Sequence, residues 1–115
     1  FRFSDITLNR SSIGMDNELV ASVTVTNTGD RAGSEVVQLY IRDLVGSVTR
    51  PVKELKGFEK IYLQPNESRT VRFTIAPEML KFYNADLKFV AEPGDFDVMI
   101  GPDSRNVKTA RFTLH

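Results

Sequence analysis

Residues 21–42, ASVTVTNTGDRAGSEVVQLYIR, indicate the fold more clearly than any other part of the chain. From Ala21 to Val25, apolar side chains alternate with Ser and Thr, a period of two that is typical of a half-buried β-strand. The turn-forming residues 27–30 end this strand. A second alternating run then places three apolar residues on one face: Val37, Leu39 and Ile41. The stretch therefore predicts two successive half-buried strands.

The same period of two recurs along the rest of the chain, over residues 61–63, 71–75, 96–100 and 110–114. Turn residues interrupt the pattern about every 8 to 12 residues, as is typical of a sandwich or barrel. No second domain, repeat or low-complexity linker is visible in residues 1–115. The sequence predicts a single all-β domain, an immunoglobulin-like (fibronectin type III-like) antiparallel β-sandwich of about seven or eight strands.

Local patterns predict finer features of this sandwich. The apolar parity changes between Phe3 and Ile6, which indicates a bulge or a change of sheet near residues 4–5. Residues 64–67 suit a type II turn with Asn66 at its third position, and residues 77–81 suit one helical turn. In the strand of residues 96–100, we expect the alternate residues Asp97 and Met99 to face solvent.

Composition excludes several functions. Lys plus Arg balances Asp plus Glu at 15 each, so no net charge attracts phosphate backbones or anionic lipid. We therefore expect neither nucleic acid nor a membrane as a partner. The chain contains no Cys, which excludes disulfides, thiolate metal sites and a thiol nucleophile.

Candidates for catalysis are few. His115 is the only histidine and the final residue, which disfavours a Ser-His or metal-His arrangement. The acidic run of residues 92–97 can be interpreted as an acid and base pair or as calcium ligands. We favour a turn and a solvated strand face, because Asp95 and Asp97 share the outward parity and no EF-hand spacing is present. The sequence predicts no catalytic, cofactor-binding or metal-binding residue.

Several residues instead suggest contact with another domain. Tyr40, Phe58 and Tyr62 lie on the parity opposite the predicted core, where they expose apolar area unless something covers it. Two alternatives remain. In the first, a bulge at Gly57 turns Phe58 inward and the tyrosines pack across strands. In the second, Tyr40, Tyr62 and Tyr83 serve as platforms for sugar binding. The loop of residues 44–51 is also unusually apolar. The candidate interdomain contacts are Leu44, Val45, Val48, Arg50, Pro51, Phe58, Tyr40 and Tyr62, and residues 55–60 are a candidate contact segment as a whole.

The chain resembles the C-terminal fibronectin type III-like domain of family 3 glycoside hydrolases, the β-glucosidases and β-xylosidases. The most characteristic match is residues 50–60, RPVKELKGFEK. Asn66 stands where the family usually has Gly, and residues 102–104 match the family's paired Ser only in part. Both departures fall in predicted turns. The other matching stretches, in the family's order, are residues 23–29, 33–40, 63–67, 80–83 and 94–101.

The resemblance implies that upstream domains supply the catalytic carboxylates of a retaining glycosidase, with a β-glucosidase expected, and that none of them lies in this chain. The chain starts at Phe1 on a predicted strand, so we expect a fragment of a longer hydrolase. Its expected role is a non-catalytic support, with the upstream catalytic domains as partners and with no cofactor or small-molecule substrate of its own. The alternative is an independent carbohydrate-binding or adhesion module. The resemblance also favours a periplasmic or secreted location.

Overall fold

The computed structural model of the chain describes residues 1–44, 53–83 and 86–115. Among them is one short 3₁₀ helix, Pro77–Leu80. The strands, in chain order, are β1 Arg2–Phe3, β2 Thr7–Leu8, β3 Ser12–Ile13, β4 Leu19–Thr26, β5 Gly33–Asp43, β6 Glu54–Leu63, β7 Ser68–Ile75, β8 Phe82–Tyr83, β9 Phe89–Val90, β10 Gly94–Gly101 and β11 Lys108–Leu114.

The strands form two main sheets. In the four-stranded sheet, β1, β2 and β7 all pair with β4 in the antiparallel sense. The five-stranded sheet has the order β3-β11-β10-β5-β6 and is antiparallel except where β3 pairs with β11. Strands β8 and β9 make a separate two-stranded ribbon. The predicted all-β, immunoglobulin-like sandwich is confirmed, and the described strands exceed the predicted number because five of them contain only two residues.

The core lies between the two sheets and uses the alternate positions that the sequence predicts. Along β4 every second residue from Leu19 to Val25 is buried. The buried rings of Phe96 and Phe112 stack on each other, with their centroids 5.4 Å apart. Each such side chain gains about 1.5–3 kcal/mol from burial. The predicted inward residues that are buried in the other strands are Val37, Leu39, Ile41, Ile61, Leu63, Val71, Ile75, Val98, Ile100 and Leu114, whereas Phe73 and Ala110 are only half-buried.

A bulge explains the change of parity near the N-terminus. Phe3 is paired with Val25, but Thr7 is paired with Ser22, so one extra residue lies on the N-terminal side between these pairs. Because β1 and β2 both pair with β4, the bulge that the sequence predicts is confirmed. The chain changes sheet only later, where β3 pairs with β11.

Two predicted turns also form as expected. Asn66 has a φ of 64°, and the Glu67 amide donates to the Gln64 carbonyl at 3.0 Å. Asn tolerates this left-handed conformation better than most residues, which accounts for its presence at the third turn position. The 3₁₀ helix occupies the segment where the sequence predicts a helical turn.

The prediction that Asp97 and Met99 face solvent is wrong. The exposed fraction of Met99 is 3% and that of Asp97 is 9%. Strand β10 lies between β5 and β11, so long side chains of both neighbours cover its outer face. Tyr40 is paired with Met99, and Arg111 is paired with Asp97. The alternation along one strand shows which residues face away from the core, but it does not show whether side chains of neighbouring strands bury them.

Asn27 joins the ends of the two sheets. It follows β4, it is 2% exposed, and its Nδ2 donates to the carbonyls of Leu63 at 3.1 Å and Arg31 at 2.8 Å. Its Oδ1 accepts the Gly29 amide at 3.0 Å. Since Leu63 belongs to the other sheet, this one carboxamide satisfies three backbone groups where the sandwich closes.

We expect Asn27→Asp to lower the free energy of unfolding by about 2–3 kcal/mol, because the carboxylate cannot donate to the Leu63 and Arg31 carbonyls. Urea unfolding of the chain measures this change. Asn17→Asp is the matched control, since Asn17 is exposed and only its Oδ1 is bonded, to the Gly14 amide. Equal losses in the two variants would contradict the role given to Asn27.

Candidate interdomain surface

The acidic residues that suggested catalysis hold the sheet together. Asp97 Oδ1 accepts a hydrogen bond from Arg111 Nε at 3.2 Å, and Asp95 Oδ1 accepts one from Thr113 Oγ1 at 2.8 Å. Both contacts cross from β10 to β11. The solvated face that we predicted for this pair is therefore wrong for Asp97, which is buried and paired.

No other reactive cluster occurs in the parts of the chain that the structure describes. His115 lies at the sheet margin, where its amide donates to the Ile13 carbonyl at 2.9 Å. Within residues 1–44, 53–83 and 86–115, no three His, Asp or Glu side chains converge in a way that could hold a metal ion. Nor do the described residues include a helix long and apolar enough to cross a membrane.

Exposed apolar side chains concentrate on β6, which is an edge strand of the five-stranded sheet. Leu55 is 53% exposed, Phe58 is 69% exposed and Tyr62 is 55% exposed. Their partners on β5 are Tyr40, Gln38 and Ser34, respectively. We call Leu55, Phe58 and Tyr62 the β6 stripe. It forms a row of large side chains along the outer margin of the sheet.

A bulge in β6 determines which residues enter this stripe. Leu39 pairs with Gly57, but Tyr40 pairs with Leu55, which leaves Lys56 as the extra residue. Gly57 faces the core, where an added Cβ would lie 3.7 Å from the Phe73 ring. The alternative in which the bulge turns Phe58 inward is wrong. The bulge acts instead on Leu55, which it moves from the core parity to the outer face.

Tyr40 is less available than the stripe. It is half-buried, its hydroxyl donates to Gln38 Oε1, and the Lys53 ammonium lies 5.9 Å from the centre of its ring. Lys53 Nζ also donates to the Ser104 carbonyl, so this side chain crosses the ring to the loop after β10. These contacts occupy one face of Tyr40 within the domain.

The apolar loop falls largely outside the described residues. Leu44 is half-buried, and its amide donates to the Asp95 carbonyl at 3.0 Å, which fixes the start of the loop beside β10. The other candidate contacts of this loop, Val45, Val48, Arg50 and Pro51, lie outside the described residues. Phe58 and Tyr62 are therefore the individually predicted residues that the structure brings together on one exposed surface, and Leu55, from the predicted contact segment 55–60, joins them through the bulge.

A second surface was not found from the sequence. An open groove of about 850 Å³ lies at the end of the sandwich where β4 begins and β7 ends. We call it the end groove. Phe89 is 50% exposed and Met15 is 45% exposed there, and charged side chains surround them. No pattern in the sequence indicates this groove, because its lining residues come from four separate segments that only the fold brings together.

In the loop after β10, the Asp103 carboxylate is surrounded by hydrogen-bond donors. Asp103 accepts hydrogen bonds from the Arg105 amide at 2.8 Å and the Asn106 amide at 2.9 Å, and its carboxylate also accepts the Asn106 side-chain amide. The Asn106 side chain, followed by the two backbone amides, lowers the pKa of Asp103 below 3.8. Gly101 is required at the base of this loop, since a Cβ there would overlap the Asn106 carbonyl oxygen.

The family of the chain follows from comparison with known proteins. Residues 35–104 match the family of fibronectin type III-like domains. This segment covers more than half of the 115 residues, and it includes strands of both sheets. The chain belongs to this family.

Its relatives are long glycosidases. Over 114 residues the chain is 52% identical to the periplasmic β-glucosidase of Salmonella typhimurium, covering 99% of the chain and 15% of that protein. It is 42% identical to a β-xylosidase of Formosa agariphila, and the match covers 99% of this chain and 16% of that protein. The structure of a β-glucosidase from Erythrobacter marinus superimposes with a TM-score of 0.93 at 46% identity, again over 99% of this chain and 15% of that one.

These relationships confirm the resemblance to the C-terminal fibronectin type III-like domain of family 3 glycoside hydrolases. The chain spans about 15% of the length of the relatives it matches. The same comparisons support the function expected from the sequence, a non-catalytic module of a family 3 glycoside hydrolase, because in those proteins the matching domain is one part of a larger polypeptide.

We expect Asn106→Ala to raise the pKa of Asp103 toward 3.8, because it removes the side-chain donor that lowers the pKa most. An NMR titration of the Asp103 carboxyl measures this change. Since the folded pKa lies below the unfolded one, Asp103 stabilises the fold at neutral pH, and this contribution is lost as the pH falls through the folded pKa. An Asp103 pKa that is the same with and without the Asn106 side chain would contradict this cause.

Proposed function

We propose that this chain is a non-catalytic support module of a larger family 3 glycoside hydrolase that acts on β-linked glucosides or xylosides. The observation that carries the proposal is a 52% identity extending over 99% of the chain but only 15% of a β-glucosidase. The acids best placed to act together, Asp95 and Asp97, are bonded across strands. The catalytic carboxylates would therefore lie in other domains of the same polypeptide.

We further propose that the β6 stripe packs against those catalytic domains. Leu55, Phe58 and Tyr62 are each more than half exposed, and such a row is more apolar than a solvated sheet margin requires. Covering it would remove apolar surface from water, which gains about 25 cal/mol per Å². It would also cover an edge strand of ten residues, which otherwise offers unpaired backbone groups to other chains.

The charges around the stripe favour a specific contact over simple collapse. Lys60 lies between Phe58 and Tyr62 in the outward row of β6 and is itself exposed. Its partner across the strands is Val36, which is half-buried. A partner surface would therefore combine an apolar patch with an acidic group opposite Lys60, which fixes the orientation in which the two domains meet. Arg50 and Pro51 of the neighbouring loop remain proposed contacts.

The module could instead be an independent carbohydrate-binding unit. The β6 stripe does not favour this role, because Tyr62 and Phe58 lie on a sheet margin and not in a concave site. The end groove is concave and does favour a ligand site. Support and ligand binding are compatible, since no residue of β6 lines the groove.

We expect Phe58→Glu to lower the melting temperature of the complete polypeptide markedly while hardly affecting the isolated 115-residue chain. In the complete polypeptide the new carboxylate would be buried, at a cost of about 2–4 kcal/mol, whereas in the isolated chain it points into water. Differential scanning calorimetry of both proteins measures the two shifts.

Thr74→Glu is the matched control for this comparison, because Thr74 is exposed on a strand of the other sheet. Its effect should be small in both proteins. If Phe58→Glu shifts the two melting temperatures equally, Phe58 belongs to the domain's own packing and the proposed contact is wrong.

A further inference from the structure

We propose that the end groove binds a short β-linked oligosaccharide and so gives the domain a carbohydrate site of its own. The β-linkage rests on the proposed function, whereas the saccharide class is argued from the groove itself. Its walls are the turn before β4, the segment that leads into the 3₁₀ helix, strand β9 and Arg10. None of these belongs to β5 or β6, so the groove and the β6 stripe are different surfaces.

The size of the groove fits a small ligand. Its volume of about 850 Å³ lies within the range of roughly 300–1,000 Å³ that is typical of small-molecule sites. It is open along one side, so a linear ligand can enter it without displacing a lid. An open groove of this size suits a chain of a few sugar rings better than one compact molecule.

The floor of the groove offers apolar surface to a sugar ring. The Phe89 side chain is half exposed on β9, and Met15 is 45% exposed on the opposite side. Pyranose rings have faces made of C–H groups, which stack on aromatic rings much as aliphatic side chains do. Val90 and Ala91 also line the groove. A ring held over Phe89 would therefore bury its apolar face while its hydroxyls point to the rim.

The charged and polar side chains around the groove supply both hydrogen-bond donors and hydrogen-bond acceptors. Arg10, Asp16 and Glu18 are exposed and have no hydrogen-bond or ion-pair partner among the residues that the structure describes. Asn17 accepts the Gly14 amide through Oδ1, which leaves its side-chain N–H groups available. A sugar hydroxyl both donates and accepts, so a rim with guanidinium, amide and carboxylate groups can satisfy it on both sides.

The charge of the rim argues against an anionic ligand. Arg10 and Lys81 are positive, whereas Asp16, Glu18 and Glu78 are negative, so the rim has two positive and three negative groups and a net charge of −1. Lys81 is also paired with Glu78 at 2.9 Å, whereas Arg10 has no ion-pair partner within the described part of the chain. Such a balance would repel a phosphate or sulfate and favours an uncharged polyhydroxylated ligand.

The walls are built in advance of binding. The turn before β4 is closed by two hydrogen bonds, from the Asn17 amide to the Gly14 carbonyl at 3.2 Å and from the Gly14 amide to Asn17 Oδ1 at 3.1 Å. On the other wall the Met79 amide donates to the Ala76 carbonyl at 2.9 Å. Rigid walls reduce the entropy lost on binding, which matters most for weak ligands such as oligosaccharides.

The test is a titration of the isotopically labelled 115-residue chain with cellotetraose, followed by amide chemical shifts. We expect saturable shifts in residues 15–18, 76–78 and 89–91, with a dissociation constant in the millimolar range. Phe89→Ala should weaken binding roughly tenfold. Arg10→Ala is a second variant that leaves the fold intact, because Arg10 is exposed and has no partner in residues 1–44, 53–83 and 86–115, and it should weaken binding several-fold. Phe58→Ala, on the β6 stripe, is the control that should leave binding unchanged.

The absence of saturable shifts would overturn the proposal, as would shifts that centre on the β6 stripe or an equal loss in Phe58→Ala and Phe89→Ala. The α-linked maltotetraose should bind more weakly, and equal affinity would overturn the β-linked assignment. Because the isolated chain is titrated, the result does not depend on whether the domain supports a catalytic partner. A failure of either proposal is thus distinguishable from a failure of the other.

Discussion

The contact between the apolar faces of two β-sheets is the interaction on which the rest of this structure depends. It requires a period of two along every long strand, and it buries large apolar side chains from both sheets, among them the stacked Phe96 and Phe112 of the five-stranded sheet. Asn27 closes the end of the same interface by bonding the carbonyl of Leu63 across the sheets. What remains for other purposes is the outer surface, and the two candidate sites lie there.

The period of two made the core predictable from the sequence, down to buried positions such as Val25 and Leu39. The same period predicted the N-terminal bulge, because one extra residue moves the apolar side chains from one parity to the other. The prediction failed for Asp97 and Met99, because exposure of an outward residue depends on the neighbouring strands. Strand β10 is central and covered, so its outward residues are buried, whereas β6 is at the edge and its outward residues are not.

The candidate sites were predictable only in part for the same reason. Phe58 and Tyr62 could be identified because their parity contradicts their apolar character. The sequence predicts Leu55 only as part of the segment 55–60, because Leu55 has the core parity and reaches the outer face through the bulge at Lys56. The end groove combines Met15 and Phe89, which are far apart in the sequence and show no periodic signal. A site assembled from turns becomes visible only when the fold brings the turns together.

We propose that the β6 stripe is a docking surface for the rest of a larger hydrolase. Hydrogen exchange of the β6 amides, residues 54–63, tests it most directly when the complete polypeptide is compared with the 115-residue chain. We predict that exchange in β6 is markedly slower in the complete polypeptide, while exchange in the central strand β4 is similar in both. The same exchange rates for β6 in the two proteins would contradict the claim, because they would show that this edge remains open to water.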